Sequence, residues 1–233
     1  MSVKTTIRTA VWMLPPGRGK NRMLNRLGDQ IDPTAVLYPN LVRNVDRVVV
    51  GPRARIGLGN VIKQLRVLSL GPGATIGRYN LISAHPVYRR LLPGGARLEL
   101  AERGAVTSRH TLDCAGSVKV HEGAMIAGHS STVLTHSIDL ERDAQTAYPV
   151  EVGAYSFVGA HCLMLGGARL PDHSVLAAGS VLPRVKGEPE PGLWAGVPAR
   201  RRGDTDGAWF SRPTTGTRRV FIPSTGEVIE NAF

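Results

Sequence analysis

The stretch 150–182, VEVGAYSFVGAHCLMLGGARLPDHSVLAAGSVL, decides how this chain folds. Within it Val152, Val158, Met164, Leu170, Leu176 and Leu182 recur at every sixth position without a break. Small residues follow four positions behind (Ser156, Ala168, Ser174, Ser180) or directly behind (Gly153, Gly159, Ala177). A period of six fits neither the 3.6-residue turn of an amphipathic helix nor the two-residue alternation of a hairpin sheet. It fits a chain that turns a corner every six residues, with the aliphatic side chain pointing inward and the small residue letting the corner close. Three corners make one triangular coil of about 18 residues, and coils stack at roughly the 4.8 Å spacing of strands in a sheet.

Working outward, the same period appears in Leu100, Val106 and Leu112, and in Val120, Ile126, Thr132 and Ile138. Ile76 and Ile82 follow Leu70, and Ile56 and Ile62 follow Val50. Coils beginning at Val50, Leu70, Leu100, Val120, Val152 and Leu170 are spaced 20, 30, 20, 32 and 18 residues apart, so two loops leave the prism, at 84–97 and 137–149. Loops on a rigid scaffold are common sites of chemistry. The fifth position of the second hexad reads Asn60, Asn80, His110, Ser130, Cys162 and Ser180, a polar column at an interior corner. Buried polar groups need partners, so a hydrogen-bond ladder is expected there, with Cys162 as packing. For His110, membership of the ladder and contact with a substrate both stay open.

Composition sets the outer limits. Of 233 residues, 42% are hydrophobic, which excludes wholesale disorder, and 27 are glycine with only 5% aromatic, which fits many tight corners around a narrow aliphatic core. The two cysteines, Cys114 and Cys162, form neither a disulfide framework nor a CxxC knuckle. No run of 18 apolar residues exists, and a cytoplasmic protein is expected. The net charge is +11, and residues 1–30 hold six Lys/Arg against Asp29 alone. No recognition helix or aromatic stacking platform accompanies that charge, so no nucleic-acid partner is expected. Residues 1–30 have helical content, around Asn21–Leu27, that can cap the open first coil. Trp12, Met13 and Leu14 among basic residues leave peripheral contact with an anionic membrane as the second, less favoured reading.

The segments GHSSTVLTHSID (128–139), 150–182 and WAGVPARR (194–201) resemble the hexapeptide-repeat acyltransferases, in particular the sugar O-acetyltransferase branch with the maltose, galactoside and colanic-acid enzymes. The resemblance covers about residues 46–203. It implies an all-β solenoid, a left-handed parallel β-helix, here with a short N-terminal helical cap and a C-terminal extension. The expected organisation is a partly helical cap over 1–45 and the β-helix over 46–185. A linker, a basic AGVPARRR segment and a hairpin-like tail follow over 186–233.

The resemblance also implies an activity: transfer of an acyl group, acetyl above all, from acyl-coenzyme A to a hydroxyl of a sugar or glycan precursor, in a homotrimer with sites between subunits. His136 in THSID matches the general base of the family, and imidazole chemistry suits that role. Asp139 and Glu122 are both candidates to orient its ring. Phe157, Ala160 and Ala178 match positions along the pantetheine arm, and Arg184, Arg200 and Arg202 match basic positions for the nucleotide phosphates. Asp113, with His110 and His85, is placed at the acceptor. Two other readings are a trimeric scaffold without turnover and a metal hydratase like the gamma-class carbonic anhydrases. Six of the seven histidines lie between 110 and 173, but no HxxxxH spacing occurs, so no metal is expected. His121 and His173 fall at outward positions, and His129 and His161 lie one coil apart where a groove between subunits would run.

Overall fold

Val152, Val158, Met164, Leu170, Leu176 and Leu182 are all buried, each in a short strand, and the chain turns between them. The structure is a computed structural model and describes residues 3–232. Among these residues three sheets of seven, nine and seven strands form the sides of a prism. Every neighbouring pair within the stacked coils is parallel, because each strand pairs with its equivalent one coil away. Register follows the repeat: Val50 lies beside Leu70, Leu70 beside Leu100, and so on through Val120 and Val152 to Leu170.

Two details depart from the strict period. The first coil starts at Gln30, whose strand pairs with Arg47–Val50, so the prism begins well before residue 46. Ile31, Leu37 and Val42 are its buried residues, and their spacing of six and five hides them from a period-six reading. The second departure is one extra residue at the corner after Ile126. It makes Val133 the buried residue, leaves Thr132 facing outward and places Ile138 on an exposed hairpin.

The same insertion moves the polar column by one. Asn60 Nδ2 donates to Asn40 Oδ1 at 2.9 Å, and Asn80 Nδ2 donates to Asn60 Oδ1 at 2.9 Å. The His110 N–H donates to Asn80 Oδ1 at 2.8 Å. The Ser131 N–H then donates to His110 Nδ1 at 3.1 Å, and Ser131 Oγ accepts from the Cys162 N–H at 3.1 Å. Ser131, not the exposed Ser130, is therefore the member of the ladder. Both ring nitrogens of the buried His110 are engaged, since Nε2 lies 2.9 Å from Thr107 Oγ1. His110 thus stands inside the prism and not at an acceptor site.

Burial, helped by neighbouring His129, pushes the His110 pKa down to about 4. The unfolded chain takes up this proton near pH 6.5, whereas the folded chain holds the ring neutral. Stability is therefore lost as pH falls from about 6.5 to 4, by about 3 kcal/mol from this group. His110→Asn, which repeats the ladder chemistry of Asn80, is expected to reduce that acid sensitivity. Urea unfolding of both proteins at neutral pH and near pH 4 checks this.

The open end of the first coil is covered by α1 (Val3–Trp12) and α2 (Arg18–Arg26). Val11, Trp12 and Leu24 bury against it, and Trp12 Nε1 donates to Asp29 Oδ2 at 3.0 Å. The buried Lys20 ammonium donates to the carbonyls of Trp12, Leu14, Leu37 and Tyr38, so unpaired strand groups at the edge gain a donor. Trp12 is therefore part of the plug and does not face solvent.

The three outer faces differ. The first sheet carries a charged row, with Glu151 near both Lys119 (3.8 Å) and Arg169 (3.9 Å). The third carries outward Leu41, Val61, Leu81, Leu163 and Val181. Across the second runs the C-terminal tail. Thr205 Oγ1 donates to His173 O at 2.8 Å, and Trp209 meets the Phe157 ring edge-on at 5.8 Å. Arg212 donates to Gly123 O, Pro213 O accepts from Arg103 Nη1 at 2.9 Å, and Thr215 Oγ1 donates to Gly73 O at 3.2 Å. Beyond it the strands Val220–Ile222 and Glu227–Ile229 pair antiparallel.

Candidate active site

His136 opens the hairpin His136–Asp139/Ala144–Ala147, which leaves the prism at the corner between the third and first sheets. One coil below, strand Thr111–Asp113 ends at the same corner, and this brings Asp113 under the imidazole. Asp113 Oδ2 lies 2.8 Å from His136 Nδ1. The same oxygen accepts from Thr135 N at 2.8 Å, Thr135 Oγ1 at 2.6 Å and His136 N at 3.1 Å, so the carboxylate cannot swing away without losing several bonds. Its side chain is 12% exposed, whereas that of His136 is 42% exposed. A carboxylate only accepts, so Nδ1 carries the hydrogen and Nε2 keeps a free lone pair.

Asp113, expected at the acceptor, is thus the carboxylate in hydrogen-bond contact with the ring. The two carboxylates expected in that role are engaged elsewhere. Asp139 Oδ2 accepts from Arg142 Nη1 at 2.6 Å, and Glu122 pairs with Arg103 and with Tyr155 OH at 2.7 Å.

The loop at 84–97 contributes α3 (Pro86–Leu91). His85 caps it, with Nδ1 accepting the Val87 N–H at 3.3 Å, and Pro86 supplies a first-turn residue that needs no hydrogen-bond acceptor. The buried Tyr88 places its ring 5.7 Å from that of His136 and donates from its hydroxyl to Gln145 Oε1 at 3.2 Å. Burial raises the Tyr88 pKa, which keeps the phenol a neutral donor. Between α3 and the hairpin lies a groove of about 480 Å³ lined by His85, Tyr88, Leu91, Gln145 and Thr146. Tyr88 and Gln145 carried no signal in the sequence, because they meet only through the packing of two separate excursions.

Of the positions expected at the donor, the structure brings only Arg184 to the His136 corner. Its guanidinium lies 4.3 Å from the centre of the Tyr148 ring, and the Tyr148 N–H donates to Thr135 O at 2.9 Å. Ala160 and Ala178 stand at the opposite edge of the third sheet, where the second sheet turns into the third. The corner beneath is close: a Cβ on Gly128 (φ +66°) would sit 2.6 Å from Ala160 Cβ. At this edge His129 and His161 meet edge-to-face at 4.7 Å. Phe157 lies on the second face, where Trp209 takes its outward side. His121 lines an open groove at the corner between the first and second sheets, and His173 stacks on Tyr155 at 5.7 Å.

Arg200 and Arg202 lie on the exposed part of strand Ala199–Gly203, with backbone carbonyls as their contacts. The acidic linker is answered by their neighbour instead, since Arg201 lies 3.8 Å from Glu190 and pairs with Asp204.

No protein-family model and no curated protein sequence matches the chain. Among solved structures it is similar to the polysialic acid O-acetyltransferase OatWY, with a TM-score of 0.56 and 17% identity over 76% of this chain and 84% of that one. The fold is that of the hexapeptide-repeat acetyltransferases. The prism is accordingly the left-handed parallel β-helix. A maltose O-acetyltransferase from Clostridium difficile 630 also matches, at TM-score 0.47 and 15% identity over 60% of this chain and 70% of that one. A hexapeptide-repeat acetyltransferase from Vibrio cholerae O1 biovar eltor, complexed with acetyl coenzyme A, matches at 0.41 and 16% over 87% and 86%.

Proposed function

We propose that this hexapeptide-repeat protein is an O-acyltransferase that moves an acyl group, acetyl above all, from acyl-coenzyme A to a hydroxyl of a sugar or glycan precursor. The observation that carries the reading is the His136–Asp113 pair on an outer corner of the prism, with Nε2 left free and the ring 5.7 Å from that of Tyr88, which lines the neighbouring groove. Nε2 takes the proton of the acceptor hydroxyl as its oxygen attacks the thioester carbonyl carbon. The new C–O bond forms, the C–S bond breaks, and the imidazolium returns its proton to the departing thiolate. Asp113 stabilises the positive ring between those two transfers.

His136 and the Ala160/Ala178 edge lie on opposite sides of the third sheet, so one chain alone does not join them. We infer a homotrimer in which the Ala160 edge of one copy meets the His136 edge of the next. The outward aliphatic row of the third sheet supports that contact, since Leu41 and Leu81 are each 39% exposed in the single chain. The exposed guanidinium groups of Arg200 and Arg202, whose contacts are backbone carbonyls and not carboxylates, suit the phosphates of the nucleotide.

Calorimetric titration with acetyl-coenzyme A and with coenzyme A tests the reading. Saturable binding at one site per subunit, weakened about tenfold in Arg200→Ala, is the expected outcome. No heat of binding at millimolar ligand overturns it.

A further inference from the structure

The end of the prism capped by α1 and α2 has two unlike sides. Its inner side carries Val11, Trp12 and Leu24 onto the first coil, with Lys20 and Asn21 bonded to carbonyls beneath. Its outer side carries Val3, Ile7, Met13, Leu14 and Met23, each between 42% and 77% exposed. Exposed beside them are Lys4, Arg18, Arg22 and Arg26. Among the described residues none of these four lies within ion-pair distance of a carboxylate.

The sequence explains why. No acidic residue occurs before Asp29, and Asp29 is buried beneath the cap against Arg8 and Trp12. Over residues 1–66, twelve lysines and arginines face three aspartates, which is nine of the chain's eleven net positive charges. The rest of the molecule is close to balance. The positive field is therefore concentrated at one end, and that end also bears the unpartnered apolar side chains.

We propose that this capped end docks on an anionic lipid bilayer, with Met13, Leu14 and Met23 entering the headgroup region and Arg18, Arg22 and Arg26 meeting lipid phosphates. Unopposed cations alone suit any polyanion. Apolar side chains interleaved with them suit a surface that has hydrocarbon beneath its charge, which a nucleic acid lacks. Trp12, the aromatic residue of α1 and α2, is buried, so the cap helices themselves offer no exposed ring for a base to stack on. The contact is peripheral: no helix among the described residues is long and apolar enough to cross a membrane.

Co-sedimentation of the whole protein with vesicles decides the matter. Vesicles of phosphatidylcholine and phosphatidylglycerol in equal parts are expected to carry the protein down, and vesicles of phosphatidylcholine alone are not. High salt is expected to release it. A basic residue at an anionic surface gives about a fivefold gain in partition, so Arg18→Gln/Arg22→Gln/Arg26→Gln is expected to weaken binding by about 100-fold. Met13→Ser/Leu14→Ser removes no charge and is expected to weaken it by about tenfold. All five positions are exposed, and unchanged melting of each variant confirms an intact cap.

Failure to sediment with the anionic vesicles overturns the proposal. So does binding that survives loss of the three arginines. Binding to duplex DNA as strong as to vesicles, with no effect of the Met13/Leu14 change on either, replaces the membrane with a general polyanion site. None of these outcomes depends on the chemistry assigned to His136.

Discussion

Replacing His136 with alanine is expected to lower the rate constant for acyl transfer by about 10²- to 10⁴-fold, the range lost with a positioned general base. The thermal midpoint should change little, because the imidazole is half exposed, its ring contact with Tyr88 is a tilted one at 5.7 Å, and Asp113 keeps its bonds to Thr135 when the ring is lost. Donor binding should also persist, because Arg200, Arg202 and the Ala160/Ala178 edge lie elsewhere on the prism. Single-turnover measurement on the wild-type and variant proteins, with one acceptor and saturating acetyl-coenzyme A, reads the effect. Asp113→Asn is expected to lower the rate by a smaller factor and to alter its dependence on pH, since it removes the negative charge that fixes Nδ1 as the donor. A His136→Ala variant that turns over at the wild-type rate would remove His136 from the reaction.

The largest loss of stability from a single polar side chain is expected at Asn60. Its amide donates to Asn40 Oδ1, Gly57 O and Gly77 O, each at 2.9 Å. Its Oδ1 accepts from both nitrogens of Asn80, again at 2.9 Å. Asn60→Ala leaves donors and acceptors of three coils without partners in a corner that excludes water. The expected cost is about 3–4 kcal/mol, read as a shift in the urea midpoint at unchanged slope. A cost below about 1 kcal/mol would mean that water enters the corner and replaces the ladder.

The fold was legible because its rule is local. An aliphatic residue every six positions, with a small one behind it, is a statement about corners, and corners are set by neighbouring residues. The reading failed where the rule is relaxed. The first coil uses a spacing of five between Leu37 and Val42, and the coil after Val120 takes an extra residue between Ile126 and Val133. In both cases tertiary stacking restores the register that the local pattern loses.

Of the proposed site, the sequence marks only the centre. His136 stands at the mouth of a loop, which sequence spacing can locate. Its partner was not legible, because Asp113 is 23 positions away and reaches it only through the one-coil offset of the third sheet. Asp139 and Glu122 are nearer or as plausible in sequence, but each has an arginine of its own. Tyr88 and Gln145 come from different excursions, whose mutual packing no periodicity encodes.

The C-terminal tail has a consequence for how the molecule comes apart. A solenoid holds each coil only through its immediate neighbours, so its ends can fray while its middle stays ordered. Here the segment from Thr205 to Thr215 is fastened in turn to the coils of His173, Phe157, Gly123, Arg103 and Gly73. Coils that would otherwise melt singly are bound to one another like pages to a spine, and opening any one of them strains the rest. That spine follows the coils it fastens in the order of the chain, so a growing molecule stacks those coils first and gains all-or-none behaviour only once the spine has emerged behind them.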